Sequence, residues 1–148
     1  MGRVVKIGIS NTKGSKINSV DKVNIIKGKG ILNDRKFSDN NKKDKQITLI
    51  EIENINFYNS KFGTNIDPID FRRNIITKDI NLNILLNKEF MVGNIRLKAH
   101  DLCRPCKDLQ KKLNIDNFVK EFLLKGGIRC EIMNTGTINL GDIIKNKK

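Results

Sequence analysis

A β-hairpin is predicted by the stretch Glu89-Phe90-Met91-Val92-Gly93-Asn94-Ile95-Arg96-Leu97-Lys98-Ala99. Its two arms, residues 89–92 and 95–99, are short and rich in apolar residues. The Gly93-Asn94 pair between them is typical of the tight turns that join antiparallel strands. The rest of the chain repeats this pattern of short strands separated by turn residues. The hairpin therefore favours a mainly β fold.

Outward from the hairpin, the sequence predicts further strands and only a few helices. The strands are expected over residues 4–9, 20–26, 46–49, 74–77, 128–133 and 137–140. Helices are expected over residues 50–62 and 116–124, with a helix-like segment over 106–113. Because strands and helices do not alternate regularly, the pattern indicates a barrel or sandwich rather than a doubly wound sheet. With 148 residues and no internal repeat or linker, the chain is expected to form a single domain over residues 1–148.

The chain is strongly basic, with 29 Lys and Arg residues against 16 Asp and Glu residues and a formal net charge of +13. Such a charge attracts anions, including phosphorylated cofactors and nucleic acids. However, the lysines are scattered, and only 5% of the residues are aromatic, so no platform for stacking bases is evident. The scattered lysines and the scarcity of aromatic residues therefore argue against nucleic-acid binding. We keep this function only as an alternative.

Cysteine content and hydropathy indicate the compartment. Three cysteines cannot form a closed disulfide framework, and free thiols are typical of a reducing environment. The N-terminus lacks the apolar core of a signal peptide, and no window reaches the roughly 18 apolar residues of a membrane span. We therefore expect a cytoplasmic protein that does not insert into membranes.

The best candidate for chemistry is the segment His100-Asp101-Leu102-Cys103-Arg104-Pro105-Cys106-Lys107, which joins a predicted strand to a predicted helix. A thiol at a helix N-terminus lies at the positive end of the helix dipole, and neighbouring basic residues add positive charge. Both effects favour the thiolate of Cys106, which can act as a nucleophile, a persulfide carrier or a soft metal ligand. Cys103 lies on the strand side and is expected to pack inward.

Three other interpretations of this segment compete. A thioredoxin-like dithiol is disfavoured because that family needs a proline downstream of its motif, and Pro105 is the last of only two prolines. A zinc site has suitable ligand types but lacks paired spacing; its ligands would be His100, Cys103, Cys106 and Cys130. The third interpretation is that the cysteines are small core residues, as free cysteines usually are.

A second candidate segment is Phe71-Arg72-Arg73-Asn74-Ile75-Ile76-Thr77, at the start of a predicted strand. The guanidinium groups of Arg72 and Arg73 match phosphate and carboxylate groups. The Asn74 amide can donate to and accept from the edge of a heterocycle. The competing interpretation is an exposed charged turn, since surface arginines are common.

Taken in order, the segments of this chain resemble a small stand-alone member of the MOSC family, a domain named after the C-terminal part of molybdenum cofactor sulfurases. The resemblance spans nearly the whole chain, and the ordered series of motifs is more specific than any one of them. The motifs are Gly28-Lys29-Gly30-Ile31, Asn33-Asp34-Arg35-Lys36-Phe37, Gln46-Ile47-Thr48-Leu49-Ile50-Glu51, the Arg72-Arg73-Asn74 segment, Ile80-Asn81-Leu82-Asn83, Phe90-Met91-Val92-Gly93, Leu102-Cys103-Arg104-Pro105-Cys106-Lys107-Asp108-Leu109, Gly126-Gly127-Ile128-Arg129-Cys130 and Gly141-Asp142.

The resemblance implies a β-barrel of the pyruvate-kinase barrel type with a few covering α-helices. It also implies binding of the molybdenum cofactor, a molybdopterin that holds molybdenum through a dithiolene. By this mapping Cys106, the cysteine of the family's Pro-Cys step, is the molybdenum ligand. The mapping gives phosphate and pterin contacts to Arg72, Arg73 and Asn74, and makes Arg35 and Gln46 weaker candidates for the same pocket.

Two classes of function follow from the resemblance. One is a molybdenum-dependent oxidoreductase that reduces N-hydroxylated compounds. The other is a non-catalytic module that delivers cofactor, or carries sulfur as a persulfide on Cys106. The sequence departs from the family where Asn33 replaces a usual glycine, which predicts a strained or rebuilt turn, and where Lys45 replaces a usual arginine. Larger family reductases carry an additional N-terminal barrel domain, so we expect a homodimer partner, a separate reductase or a cofactor-donor protein to complete the pocket.

Overall fold

Eleven strands, one α-helix and two 3₁₀ helices make up the described part of a computed structural model of the chain, which covers residues 1–104, 111, 122 and 124–146. The strands are β1 (Gly2–Ile9), β2 (Asn18–Val20), β3 (Lys22–Ile26), β4 (Gly30–Ile31), β5 (Ile47–Glu51), β6 (Ile75–Lys78), β7 (Glu89–Val92), β8 (Ile95–Leu102), β9 (Ile128–Ile132), β10 (Gly136–Asn139) and β11 (Ile143–Asn146). The α-helix, α1, spans Ile52–Phe62, and the 3₁₀ helices span Pro68–Phe71 and Leu82–Leu85.

Seven of the strands close into a barrel. Their order is β11-β7-β8-β9-β5-β6-β1, and a second pairing of β11 with β1 closes the ring. Most neighbours are antiparallel, but β5 and β6 run parallel on either side of the α1 crossover. Strand β2 extends the sheet beyond β1, while β10, β3 and β4 form a separate small sheet. The expected mainly β barrel is thus confirmed.

Alternating apolar side chains fill the barrel. In β8 the buried residues are Ile95, Leu97 and Ala99, and their neighbours in β9 alternate in the same way. Successive residues of a strand point to opposite faces, so this period of two directs one face of each strand into the barrel. All five residues of β5 are buried, because its outer face is covered as well.

A second, smaller core lies between α1 and the outer wall of the barrel. Tyr58 of α1 contacts Phe122, whose ring centroid is 5.3 Å away, and Phe122 in turn lies 5.2 Å from Phe71. Ile50 and Ile55 belong to the same buried cluster. The helix ends at Gly63, which has a left-handed φ of 64° that glycine adopts without steric cost.

Most predicted elements are present, with shifted ends. The hairpin is confirmed as β7 and β8, but the strand predicted over residues 20–26 is divided into β2 and β3. The helix predicted over residues 50–62 begins two residues later, because Ile50 and Glu51 extend β5. The helices predicted over 106–113 and 116–124 fall almost wholly outside the described residues. None of the helices in the described part has the length and apolar character that a membrane span requires.

Candidate functional site

Three basic segments of the chain come close to one another in the fold. Arg35, in the loop after β4, donates from Nη2 to the carbonyl oxygen of Arg72 at 3.4 Å. Arg73 donates from Nε to the carbonyl oxygen of Gly126 at 2.9 Å, just before β9. The fold therefore gathers five cations from distant parts of the sequence, which we term the cationic cluster: Arg35, Lys36, Arg72, Arg73 and Arg129.

The loop that carries Arg35 and Lys36 is held by a buried carboxylate. Asp34 accepts a hydrogen bond from the backbone N–H of Ser10 at 3.1 Å and lies 3.4 Å from the Arg35 guanidinium. Asn33 precedes it with a left-handed φ of 71°. Asparagine tolerates this region better than most residues, so the turn is kept even though glycine is absent.

Burial and mutual repulsion disfavour the charges of this loop. Desolvation lowers the pKa of Arg35; the neighbouring Asp34 opposes this effect, while Arg72 and Arg73 add to it. Desolvation, followed by the charges of Arg35 and Arg73, lowers the pKa of Lys36 to about 8. The cluster is therefore a place where an anion would relieve an existing electrostatic cost.

Cys103 lies beside these cations. It is only 4% exposed, and its backbone N–H donates to the carbonyl oxygen of Gly127 at 2.8 Å. Burial raises the pKa of the Cys103 thiol, and the charges of Arg73, Lys36 and Arg129 offset this only in part. Cys103 is thus a buried thiol, and the prediction that it packs inward is confirmed.

A cleft of about 300 Å³ opens next to the cationic cluster; its lining residues are Lys36, Asn41, Asp44, Lys45, Thr48 and Arg129. Arg129 lies opposite Thr48 in the β5–β9 pairing, which places its side chain at the cleft. One of its terminal nitrogens, Nη2, lies 2.9 Å from Asp44 and 3.4 Å from Asp101. Its Nε is buried and has no hydrogen-bond partner in the described part of the chain. Such a donor leaves a hydrogen bond available to a ligand.

The two predicted amide residues lie beneath the surface. Asn74 is 2% exposed; its Oδ1 accepts from the backbone N–H of Thr48 at 3.1 Å, and its Nδ2 donates to the carbonyl oxygen of Gly8 at 3.3 Å. Gln46 is also buried and accepts from the backbone N–H of Ile132 at 2.8 Å. Both amides connect strands of the barrel in this conformation, and their contact with a pterin remains a prediction.

The side chains of Arg72 and Arg73 bind different parts of the structure. Arg72 donates to the carbonyl oxygen of Ser15 at 2.9 Å, whereas Arg73 turns toward Gly126 and Cys103. Arg72 has a left-handed φ of 64°, which ends the preceding 3₁₀ helix and separates the two side chains. Of this pair, Arg73 is therefore the one beside the Cys103 thiol.

The zinc interpretation finds no support in the described residues. His100 Nε2 lies 2.8 Å from the carboxylate of Glu131, while Cys130 is buried in the barrel core. Nowhere in residues 1–104, 111, 122 and 124–146 do three His, Cys, Asp or Glu side chains form a metal-binding group. The barrel topology also differs from the strand–helix architecture that a thioredoxin-like dithiol needs.

Cys106 and Pro105 lie outside the described residues, so the position of the predicted molybdenum ligand stays a prediction. Lys36, Lys45 and Arg129 are cleft residues that were not singled out as site residues from the sequence. A signal for two of them was present, since Lys36 follows Arg35 directly and Arg129 lies in the glycine motif before Cys130.

Comparison with known proteins agrees with this architecture. The YUAD protein from Bacillus subtilis has a TM-score of 0.82 and 20% identity, with 100% of this chain and 98% of that chain covered. YiiM from Geobacillus stearothermophilus has a TM-score of 0.78 and 16% identity, covering 100% of this chain and 76% of its own. YiiM from Escherichia coli has a TM-score of 0.74 and 15% identity, covering 100% and 70%.

Sequence comparison supplies the family. No curated protein matches the chain significantly in sequence. The model of the MOSC domain, however, matches residues 33–145, well over half of the chain, including the cationic cluster and the segment that holds Cys106. The chain belongs to the MOSC domain family.

Proposed function

We propose that this protein binds the molybdenum cofactor, with the cationic cluster taking the cofactor's phosphate and Cys106 serving as the molybdenum ligand. The observation that carries the proposal is a cleft of about 300 Å³ that is lined by Lys36, Lys45 and Arg129. The charges of Arg35 and Arg73 act on Lys36 at this cleft. Membership of the MOSC family supports the choice of cofactor.

The residues present fit a phosphorylated group. The buried Nε of Arg129 has no hydrogen-bond partner among the described residues. Burial and the charges of neighbouring arginines lower the pKa values of Arg35 and Lys36. A phosphate accepts several hydrogen bonds and carries negative charge, so it would satisfy the donor and reduce the repulsion. Lys45 also lines the cleft, so a cation is kept where the family usually has arginine.

The proposal assigns roles to the individual residues of the site. Lys36 and Arg129 bind the phosphate, while Arg73 and Arg35 supply the surrounding positive field. Cys106 offers a soft thiolate ligand, which suits molybdenum. When bound, the cofactor supplies a redox-active metal centre.

The activity that follows is reduction of N-hydroxylated compounds. Removal of the hydroxyl oxygen as water consumes two electrons and two protons, so a separate reductase must deliver the electrons. Retention of cofactor without turnover would instead identify a carrier that delivers cofactor or holds sulfur on Cys106.

Metal and pterin content test the proposal directly. Protein made in a cofactor-competent host should contain molybdenum and fluorescent pterin in equal amounts. Arg129→Gln should reduce both by about tenfold, because it removes a charged donor at the cleft. The matched control, Arg3→Gln, removes one cation from β1, outside the cleft, and should retain both. Equal retention by the two variants, or absence of molybdenum from the parent protein, would overturn the assignment.

A further inference from the structure

We propose that a second cleft, beside the start of α1, binds a small aliphatic ammonium or guanidinium compound. The cleft has a volume of about 540 Å³, and its lining includes Glu51, Glu53, Asn54, Asn83, Leu124 and Lys125. It shares no described lining residue with the cationic cleft. The inference is therefore independent of the proposed cofactor site.

Glu51 supplies a buried carboxylate at the base of this second cleft. The residue is 7% exposed, and its Oε2 accepts from the backbone N–H of Leu82 at 3.3 Å. Its Oε1 is buried and has no hydrogen-bond partner among the described residues. Burial raises the pKa of Glu51, and the Glu53 carboxylate adds to this effect, while hydrogen bonds from the Leu82 and Glu51 backbone and from the Asn54 side chain oppose it. A bound cation would supply both a missing donor and a compensating charge.

Asn83 adds a second acceptor. Its Nδ2 donates to the carbonyl oxygen of Leu124 at 2.8 Å, which fixes the orientation of the amide. Its Oδ1 is buried, and in the described part of the chain no donor reaches it. Glu53 lies at the rim and accepts from the backbone N–H of Asp79 at 2.8 Å. Two unsatisfied acceptor oxygens and two carboxylates therefore line one cleft.

The chemistry of the lining favours an organic cation over a bare metal ion. Within the described residues, no three His, Cys, Asp or Glu side chains are arranged to hold a metal. An alkylammonium group carries three N–H donors, and its alkyl chain can lie along apolar surface. Ile80 and Leu124 provide such surface at the cleft, and Leu124 is 62% exposed.

Lys125 is the one cation among the described residues that line this cleft. Its Nζ lies 4.9 Å from the centroid of the Phe57 ring, where a cation–π contact holds it. Lys125 thus engages the aromatic ring, while Oε1 of Glu51 receives no hydrogen bond from any described residue. A ligand ammonium would fill the position that this lysine does not take.

Titration of ¹⁵N-labelled protein with cadaverine tests the proposal, with pentanediol as the uncharged analogue. The backbone amides of Leu82 and Asn83 should shift and saturate with the diamine and not with the diol. Glu51→Gln keeps an acceptor for Leu82 and should weaken binding about tenfold. Asn83→Leu should weaken it independently, and Lys125→Met should leave it unchanged or tighter.

The matched control is Asp39→Asn, which makes the same charge change at an exposed loop residue outside the cleft. It should bind the diamine as the parent does. Equal weakening by Asp39→Asn and Glu51→Gln would show general charge attraction and overturn the site. So would the absence of saturable shifts, a loss of binding in Lys125→Met, or tighter Glu51-dependent binding of magnesium.

Discussion

Lys36 carries a charge whose cost depends on pH. Burial and the nearby arginines lower its pKa from 10.5 to about 8 in the folded protein. The unfolded chain therefore binds more protons between these two values, and the free energy of unfolding rises with pH across that window. Below it, the folded protein bears the full cost of the charged lysine. Lys36→Met should consequently raise the melting temperature at neutral pH.

This gain should shrink as the pH rises from about 8 toward 10.5, where the parent lysine is neutral in the folded state. Thermal unfolding at several pH values measures it. Lys78→Met, a change of an exposed lysine at the far end of β6, should give no such pH-dependent gain. A Lys36→Met variant that is less stable than the parent at neutral pH would contradict the interpretation.

Asn74 is a single residue that joins three strands. Its side chain bonds to Thr48 of β5 and Gly8 of β1, on either side of the β6 start. Asn74→Ala should lower the free energy of unfolding by about 2 kcal/mol, because it leaves buried backbone groups without partners. Urea denaturation provides the measurement, with the exposed Asn56→Ala of α1 as a control. An unchanged denaturation midpoint would show that the Asn74 amide does not stabilise the fold and is available to bind a ligand.

At the level of elements, the start of β9 is held by close backbone packing. Gly127 has a φ of 96°, and a Cβ atom there would overlap the carbonyl oxygen of Leu49 in β5. Gly127→Ala should therefore destabilise the protein by about 3 kcal/mol or more, from both backbone strain and steric overlap. Gly141→Ala is the matched control, since its φ of 85° is also positive but its Cβ would meet nothing within 4 Å. Equal losses in chemical denaturation would attribute the effect to φ alone.

Element types were more predictable from the sequence than element ends. The hairpin was predictable because its turn residues and alternating side chains are local signals. The start of α1 was not, because the pairing of Ile50 and Glu51 with β6 depends on residues far along the chain. The same pairing carries Glu51 into the second cleft, where its unsatisfied oxygen could not be inferred from local sequence.

In the candidate site, too, some features were predictable from local sequence and others depend on residues that are distant in the chain. Arg72 and Arg73 attract notice as adjacent guanidinium groups, but their divergence depends on the left-handed φ of Arg72. Lys36 and Arg129 are brought to one cleft only by the closure of the barrel. The family motifs indicate which residues belong to the candidate site. The burial of Asn74 and Gln46 could be seen only in the folded structure.

For the whole molecule, the net charge of +13 predicts weak and salt-sensitive contact with nucleic acid. Binding of a short RNA or DNA, followed by fluorescence anisotropy, should fall steeply as salt is raised and should not depend on base sequence. The reason is that scattered lysines contact phosphates without reading bases. Sequence-selective binding with a sub-micromolar dissociation constant at physiological salt would contradict this prediction and favour a nucleic-acid-binding function.

The molybdenum content of two cysteine variants tests the central claim most directly. Both proteins are produced in a cofactor-competent host, and metal, pterin and thermal stability are measured together. Cys106→Ser should lose molybdenum because the proposed thiolate ligand is removed. Cys103→Ser should keep most of it and lose about 1 kcal/mol of stability, as small changes in a core do. Full retention of molybdenum by Cys106→Ser, or equal loss from both variants, would contradict the account.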